Sequence, residues 1–182
     1  MSDTTVFIGG SRTLARLNAD VKRRIDKIAD SRFSVVVGDA NGADKAAQTH
    51  LANRHYPNVT VFCVAGNCRN NVGHWPTRGI TAPANARGFA LYAVKDRAMA
   101  ETATHGFMLW DGDSKGTLTN IITLVQSRKP VVVYFSPSRT FINVRGPEDV
   151  AGLLSKCDRN SAQRFARELN ITHSLDPRGL LP

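Results

Sequence analysis

The sequence predicts an α/β protein: a Rossmann-like, doubly wound, mostly parallel sheet of about five strands with helices on both faces. Two observations predict it. Short segments that are apolar throughout recur along the chain, and stretches with a helical apolar period separate them. Strands buried on both faces read as continuous apolar runs, and parallel neighbours need a crossover, usually a helix. We read residues 1–136 as the core and residues 137–182 as a C-terminal extension packed on the same domain.

Each element has its own warrant. "TTVFIGG" is an apolar run closed by glycines, which predicts a buried strand. Leu14, Leu17, Val21, Ile25 and Ile28 then recur at spacings of three and four, one face of a helix. "FSVVVGD" predicts a second strand, and Ala43, Ala46, Ala47 and Leu51 mark a second helix with Asn41 as its N-cap. "NVTVFCV" reads as a third strand. Residues 65–86 carry Gly, Asn and Pro without a period and predict a long loop, of a length that is functional or mobile. A helix follows over "RGFALYAVKDRAMAETAT", then a strand at "GFMLWDG". Leu118, Ile121, Ile122 and Val125 stripe the next helix, and "KPVVVYF" is the fifth strand. The extension holds a weak strand at "TFINV" and helical pieces near 147–156 and 160–169.

Composition narrows the function classes. The net charge is +9, which invites a polyanion partner, but no block of like charges forms and aromatics do not alternate with the bases. A generally basic soluble surface is the plainer reading, and it also draws small anions. No apolar run is long enough to span a membrane, and "MSDTTVFIGG" lacks the layout of a secretory signal. Cys63, Cys68 and Cys157 are an odd set without a C-x-x-C pair, so the expectation is a reducing cytoplasm, no disulfide and no structural zinc. His50, His55, His74, His105 and His173 show no metal-ligand spacing. Ser11 lacks the G-x-S-x-G elbow of a serine hydrolase. The first strand is not followed by G-x-G-x-x-G, and Lys115-Gly116-Thr117 inverts the order a P-loop needs. No metal and no cofactor is expected.

In such a sheet, ligands bind outside the carboxyl ends of the strands, where strand order reverses. Three polar, glycine-rich clusters fall at strand ends: Gly9, Gly10, Ser11 and Arg12; Gly38, Asp39, Gly42 and Asp44; and Asp111, Asp113, Ser114, Lys115, Gly116 and Thr117. Glycines let backbone approach a ligand, and each loop leads into a helix whose free N–H groups attract anions. Arg12 can fork onto a phosphate, while Ser11, Ser114 and Thr117 can donate hydroxyl bonds. Taken singly, each loop also reads as a tight strand-to-helix turn. Asp39 and Asp111 read also as helix caps, and Lys115 as a solvated lysine. Trp75 and Trp110 are candidates to stack on a single base, or core residues.

The motifs "VFIGGSR", "VVVGDANGAD", "KDRAMA" and "DGDSKGT" followed by "KPVVVY", over residues 5–135, together resemble the SLOG superfamily of Rossmann-like nucleotide-binding proteins. That group includes the Lonely Guy or lysine-decarboxylase-like phosphoribohydrolases, the DNA-processing protein A family, and the small YspA- and YpsA-like proteins, to which the likeness is strongest. The resemblance implies a site for a nucleotide or nucleotide derivative. Gly10, Ser11 and Arg12 would hold one part of it, Gly116 and Thr117 the phosphate, and Asp39 and Asp44 the sugar or base. The "KDRAMA" motif would bring Lys95, Asp96 and Arg97 near the crevice; a helical Asp-Arg pair also reads as a surface ion pair. A homo-oligomer is expected by the same analogy.

One departure decides how far the resemblance carries. The phosphoribohydrolases have Gly-Thr-x-x-Glu where this chain has Gly116, Thr117, Leu118, Thr119 and Asn120. Breaking an N-glycosidic bond develops positive charge on the sugar, which a carboxylate stabilises or attacks and an amide does not. The leading expectation is therefore nucleotide binding, as in a sensor. The alternatives are a nucleotide N-glycosidase using Asp44, Asp96, Asp111 or Asp113, and a protein that binds single-stranded nucleic acid.

Overall fold

A computed structural model describes residues 4–65 and 68–169. Residues 170–182 of the expected extension, including His173, lie outside them. The elements are β1 (Thr5–Gly10), α1 (Ala19–Asp30), β2 (Ser34–Gly38), α2 (Ala43–Asn53), β3 (Val59–Val64), β4 (Thr77–Ile80), α3 (Gly88–Thr102), β5 (His105–Trp110), α4 (Lys115–Gln126), β6 (Val131–Phe135), β7 (Thr140–Val144), α5 (Pro147–Leu154) and α6 (Arg159–Glu168).

The strands form one sheet in the order β4-β3-β2-β1-β5-β6-β7. Every pairing is parallel except β6 with β7, which run antiparallel. The expected Rossmann-like architecture is what the chain adopts, with two further edge strands. The sequence of connections reverses between β1 and β5, whose residues Gly9 and Gly10 pair with Met108 and Leu109.

Alternation along each strand feeds two cores. Val6 and Ile8 of β1 join α1 and α2 through Val21, Ile25, Ala47 and Leu51. Phe7, between them, faces the other side, where Met99, Leu118, Ile121, Leu153 and Phe165 pack from α3 to α6. The pieces beyond residue 136 thus share a core with the sheet: Phe165 is fully buried and its ring centroid lies 6.0 Å from that of Trp110.

Several local expectations change. Helix α1 begins at Ala19, after the Asn18 side chain caps Val21 N–H at 2.9 Å, so Leu14 and Leu17 precede the helix and only pack beside it. Gly42 and not Asn41 is the N-cap of α2. The loop 65–86 contains β4, an edge strand with an exposed "TRG". Cys63 and Cys68 are joined as a disulfide, their Cα atoms 5.0 Å apart, against the expectation of none; Cys157 is free and half-buried. Among the described residues, no helix is long and apolar enough to cross a membrane.

Helices α1, α2 and α4 end in the same way. Arg32, His55 and Arg128 sit at φ 57°, 52° and 57°. The next residues turn back to helix carbonyls, as Phe33 to Ile28, Tyr56 to Leu51 and Lys129 to Leu124. This is the closure usually made by glycine, because a Cβ in the left-handed region costs about 1–2 kcal/mol. Arg128→Gly is therefore expected to raise stability by about 0.5–1 kcal/mol, read from the urea midpoint at unchanged m-value.

Candidate functional site

The reversal between β1 and β5 opens a cleft of about 540 Å³ at the carboxyl ends of the strands. Its walls come from the ends of β1 and β5, the start of α2, the first turns of α4, one face of α3, and Arg69 from the loop after β3.

Two close approaches build the rim. A Cβ on Gly10 would strike the Leu109 carbonyl and Ala43, so only glycine lets β1, β5 and α2 meet there. Gly42 has φ +85°, and a Cβ would strike the Arg12 backbone. Ser11 then stitches the loops together. It is fully buried; its N–H donates to Leu109, its carbonyl accepts from Ala43 N–H, and its hydroxyl accepts from Asp111 N–H at 3.1 Å and lies 3.4 Å from Thr117 Oγ1. Ser11, expected to hold ligand, instead holds the loops that frame it.

The floor is a buried charge cluster. Lys95 of α3 is 2 % exposed, with its ammonium 3.0 Å from Asp39 and 3.8 Å from Asp96. Asp39 also takes the Arg69 backbone N–H at 3.0 Å and its guanidinium at 2.9 and 3.1 Å. Burial alone would raise its pKa, but the Arg69 bonds and Lys95 hold it far below the carboxylate range. Asp39 is thus committed inside the protein and does not line the cleft, contrary to its expected place beside the sugar or base. Gly38 is likewise behind the wall, where it leaves room for Asp44 and Lys95.

Asp44, Asp96 and Asn120 do line the cleft. Among the described residues, Asp44 accepts only the Ala40 N–H, at 3.3 Å. Burial, reinforced by the charges of Asp96 and Asp39 and partly offset by Lys95, pushes its carboxyl up to about 7. Asp96 is raised as well, chiefly by burial, and accepts from Asn120 Nδ2 at 3.3 Å.

Asp111 and Asp113 line the third side but are occupied. Asp111 takes the Thr13 hydroxyl at 2.6 Å and the N–H groups of Asp113 and Ser114. Its partial burial pulls upward, but these bonds keep it below its ordinary value. Asp113 is bound by Ser161 and Arg164 of α6 at 2.8 and 2.7 Å. Ser114 caps α4, its oxygen 3.4 Å from Thr117 N–H. The earlier N–H groups of the α4 first turn have no intrahelical acceptor, and Gly116 and Thr117 of that turn line the cleft.

At the mouth, Arg12 lies 5.5 Å and Arg69 4.7 Å from the Tyr92 ring centroid. Lys115, expected to face a ligand, instead reaches Glu168 at 3.0 Å and lies 4.9 Å from the ring of Phe89, which is 46 % exposed. The alternation of aromatics and bases that is missing from the sequence is therefore assembled in space. Arg97 is exposed and outside the cleft, because two residues along a helix from Lys95 turns it away. Trp75 and Trp110 are buried, with indole N–H groups on the carbonyls of Tyr56 and Ser114, and cannot stack on a base. Sequence reasoning missed Arg69, Tyr92 and Phe89; the length of the 65–86 loop was the one signal for Arg69.

The fold is similar to that of DNA processing protein A. The structure of that protein from Helicobacter pylori, described for its single-stranded DNA binding mode, matches with a TM-score of 0.57 over 92% of this chain and 80% of that one. Sequence identity is 16%, so the likeness is one of fold. No protein-family model and no curated protein matches the chain.

The buried carboxyls set a pH dependence. The Asp44 carboxyl titrates near 7 folded and near 3.8 in a model peptide, so the folded state holds the extra proton between these values. Its contribution is fully present below about 4 and is lost as pH rises through about 7. Denaturant titrations from pH 4 to 8 are expected to show stability falling over that window, and the fall should shrink in Asp44→Asn.

Proposed function

We propose that this chain binds single-stranded DNA and seats one nucleotide unit of the strand in the cleft between β1 and β5. The observation that carries this reading is the meeting, at one mouth, of the Arg12 guanidinium, the open N-terminus of α4, and the cation-backed rings of Tyr92 and Phe89. A phosphate finds N–H donors and a guanidinium there, and an exposed ring offers a base a face to stack on. The net charge of +9 and the single-stranded DNA binding of a protein with the same fold support the choice of a polyanion.

A second reading, a free nucleotide or nucleotide derivative, is favoured by the size of the cleft, which is in the range of small-ligand sites. It accords with the SLOG resemblance and its YspA- and YpsA-like members. In that reading the protonated Asp44 faces the sugar or base. Asp44 and Asp96 are also the carboxyls left to act if the N-glycosidic bond is cleaved, since Asp111 and Asp113 are committed and position 120 is Asn.

Fluorescence anisotropy with labelled dT6 and dT20, beside thermal shifts with mononucleotides, separates the readings. For the DNA reading, Phe89→Ala should weaken oligonucleotide binding by about 1–3 kcal/mol, and Arg12→Ala should weaken it and lower the salt slope by about 0.7. Oligonucleotide binding indifferent to both changes would remove the cleft as the DNA site. A mononucleotide shift that Arg12→Ala abolishes, with no oligonucleotide binding, would carry the second reading. Chromatography then tests for base release, which Asp44→Asn should abolish if that carboxyl acts.

A further inference from the structure

A second groove, of about 450 Å³, lies at the opposite end of the same strands. It opens on the sheet face that α1 and α2 cover. The helical members of that face's core among the described residues come from these two helices. The β6–β7 side of this face is left open: Phe141 of β7 is 41 % exposed, its ring 5.3 Å from Tyr134 and 6.3 Å from Phe107.

The groove floor is apolar, from Val6, Ile28, Phe107 and Val132, and its walls carry Arg24 and Lys27 of α1 and Arg145 beyond β7. Among the described residues, no Asp or Glu lines it. The nearby acids among the described residues serve elsewhere: Asp20 pairs with Arg23, Asp26 with His50 and Arg54, and Asp30 with Arg54. Asp149 accepts the backbone N–H groups of Arg145 and Gly146. Arg24, Lys27 and Arg145 have no ion-pair partner among the described residues. Three uncompensated cations around an apolar recess define an anionic partner that also carries apolar bulk.

A second copy of this chain does not meet that description, because a two-fold contact would set these cations against themselves. A nucleic-acid backbone would satisfy the cations but leave the recess unfilled. We propose that the groove docks an acidic peptide segment of a partner protein, with one large apolar side chain in the recess and flanking carboxylates on Arg24, Lys27 and Arg145. The contact is separate from the cleft and does not depend on what the cleft binds.

The test is panning of phage-displayed random dodecapeptides on the immobilised full chain, followed by affinity measurement on the selected peptides. Enrichment of acidic sequences with a large apolar residue is expected. Their affinity should fall about tenfold or more in Arg24→Glu/Lys27→Glu/Arg145→Glu, fall less in the triple alanine variant, and stay unchanged in Arg12→Ala. Thermal midpoints of both triple variants check that they fold. If no acidic peptides are enriched, or if their binding survives the charge reversal, the proposal is overturned. It is equally overturned if the reversal leaves peptides unaffected and weakens dT20 instead, which would make the face a nucleic-acid surface.

Discussion

Lys95 carries an ammonium into a place where almost no water reaches, and the arrangement of the cleft follows from neutralising it. An unpaired buried charge is costly enough that the chain must bring a carboxylate to it. Asp39, at the end of β2, does so at 3.0 Å and thereby fixes α3 against the sheet. The Asp39 carboxylate has further acceptor capacity, which draws in Arg69 from a loop that otherwise has little reason to lie there. Arg69 in turn lies over Tyr92, one helical turn before Lys95. One buried cation thus sets the position of a helix, a strand end, a loop and an aromatic ring.

The same cluster gives the cleft two unlike ends. At the mouth, Arg12 and the start of α4 offer positive potential, while the floor holds two carboxyls, Asp44 and Asp96, whose ionisation is disfavoured by burial. Under the proposed function, a nucleotide unit would enter with its phosphate toward the mouth and its neutral, hydrogen-bonding part toward the floor. Near neutrality Asp44 can be donor or acceptor, so its neighbour's chemistry decides its state.

Much of this was legible from residue order. Strands β1, β2, β3, β5 and β6 announced themselves because burial on both faces leaves runs such as "VVVG" without polar interruption. The strand β4 did not, because an edge strand with Thr77, Arg78 and Gly79 exposed has no apolar period to read. The helix ends at Arg32, His55 and Arg128 were hidden for a similar reason: the left-handed turn is made without its usual glycine. At the site, glycines and hydroxyls marked the correct loops but not their roles. Ser11 and Asp39 look like ligand contacts in one dimension and are internal ties in three. Arg69, Tyr92 and Phe89 gain their place only through packing at long range, which spacing does not encode.

The stitch made by Ser11 also fixes an order of events. Its partners Leu109, Asp111 and Thr117 lie about a hundred residues further along, so the bonds close a loop of more than half of the chain. During synthesis, β1 to β3 with α1 and α2 can emerge and pair while β5 does not yet exist. Until β5 docks, β1 presents an open edge with the apolar sequence "VFIGG", the kind of edge that recruits other chains. Contacts of such sequence separation slow folding. The feature that builds the cleft therefore also delays it until β5 has been made, and leaves the nascent chain exposed to misassembly in the interval.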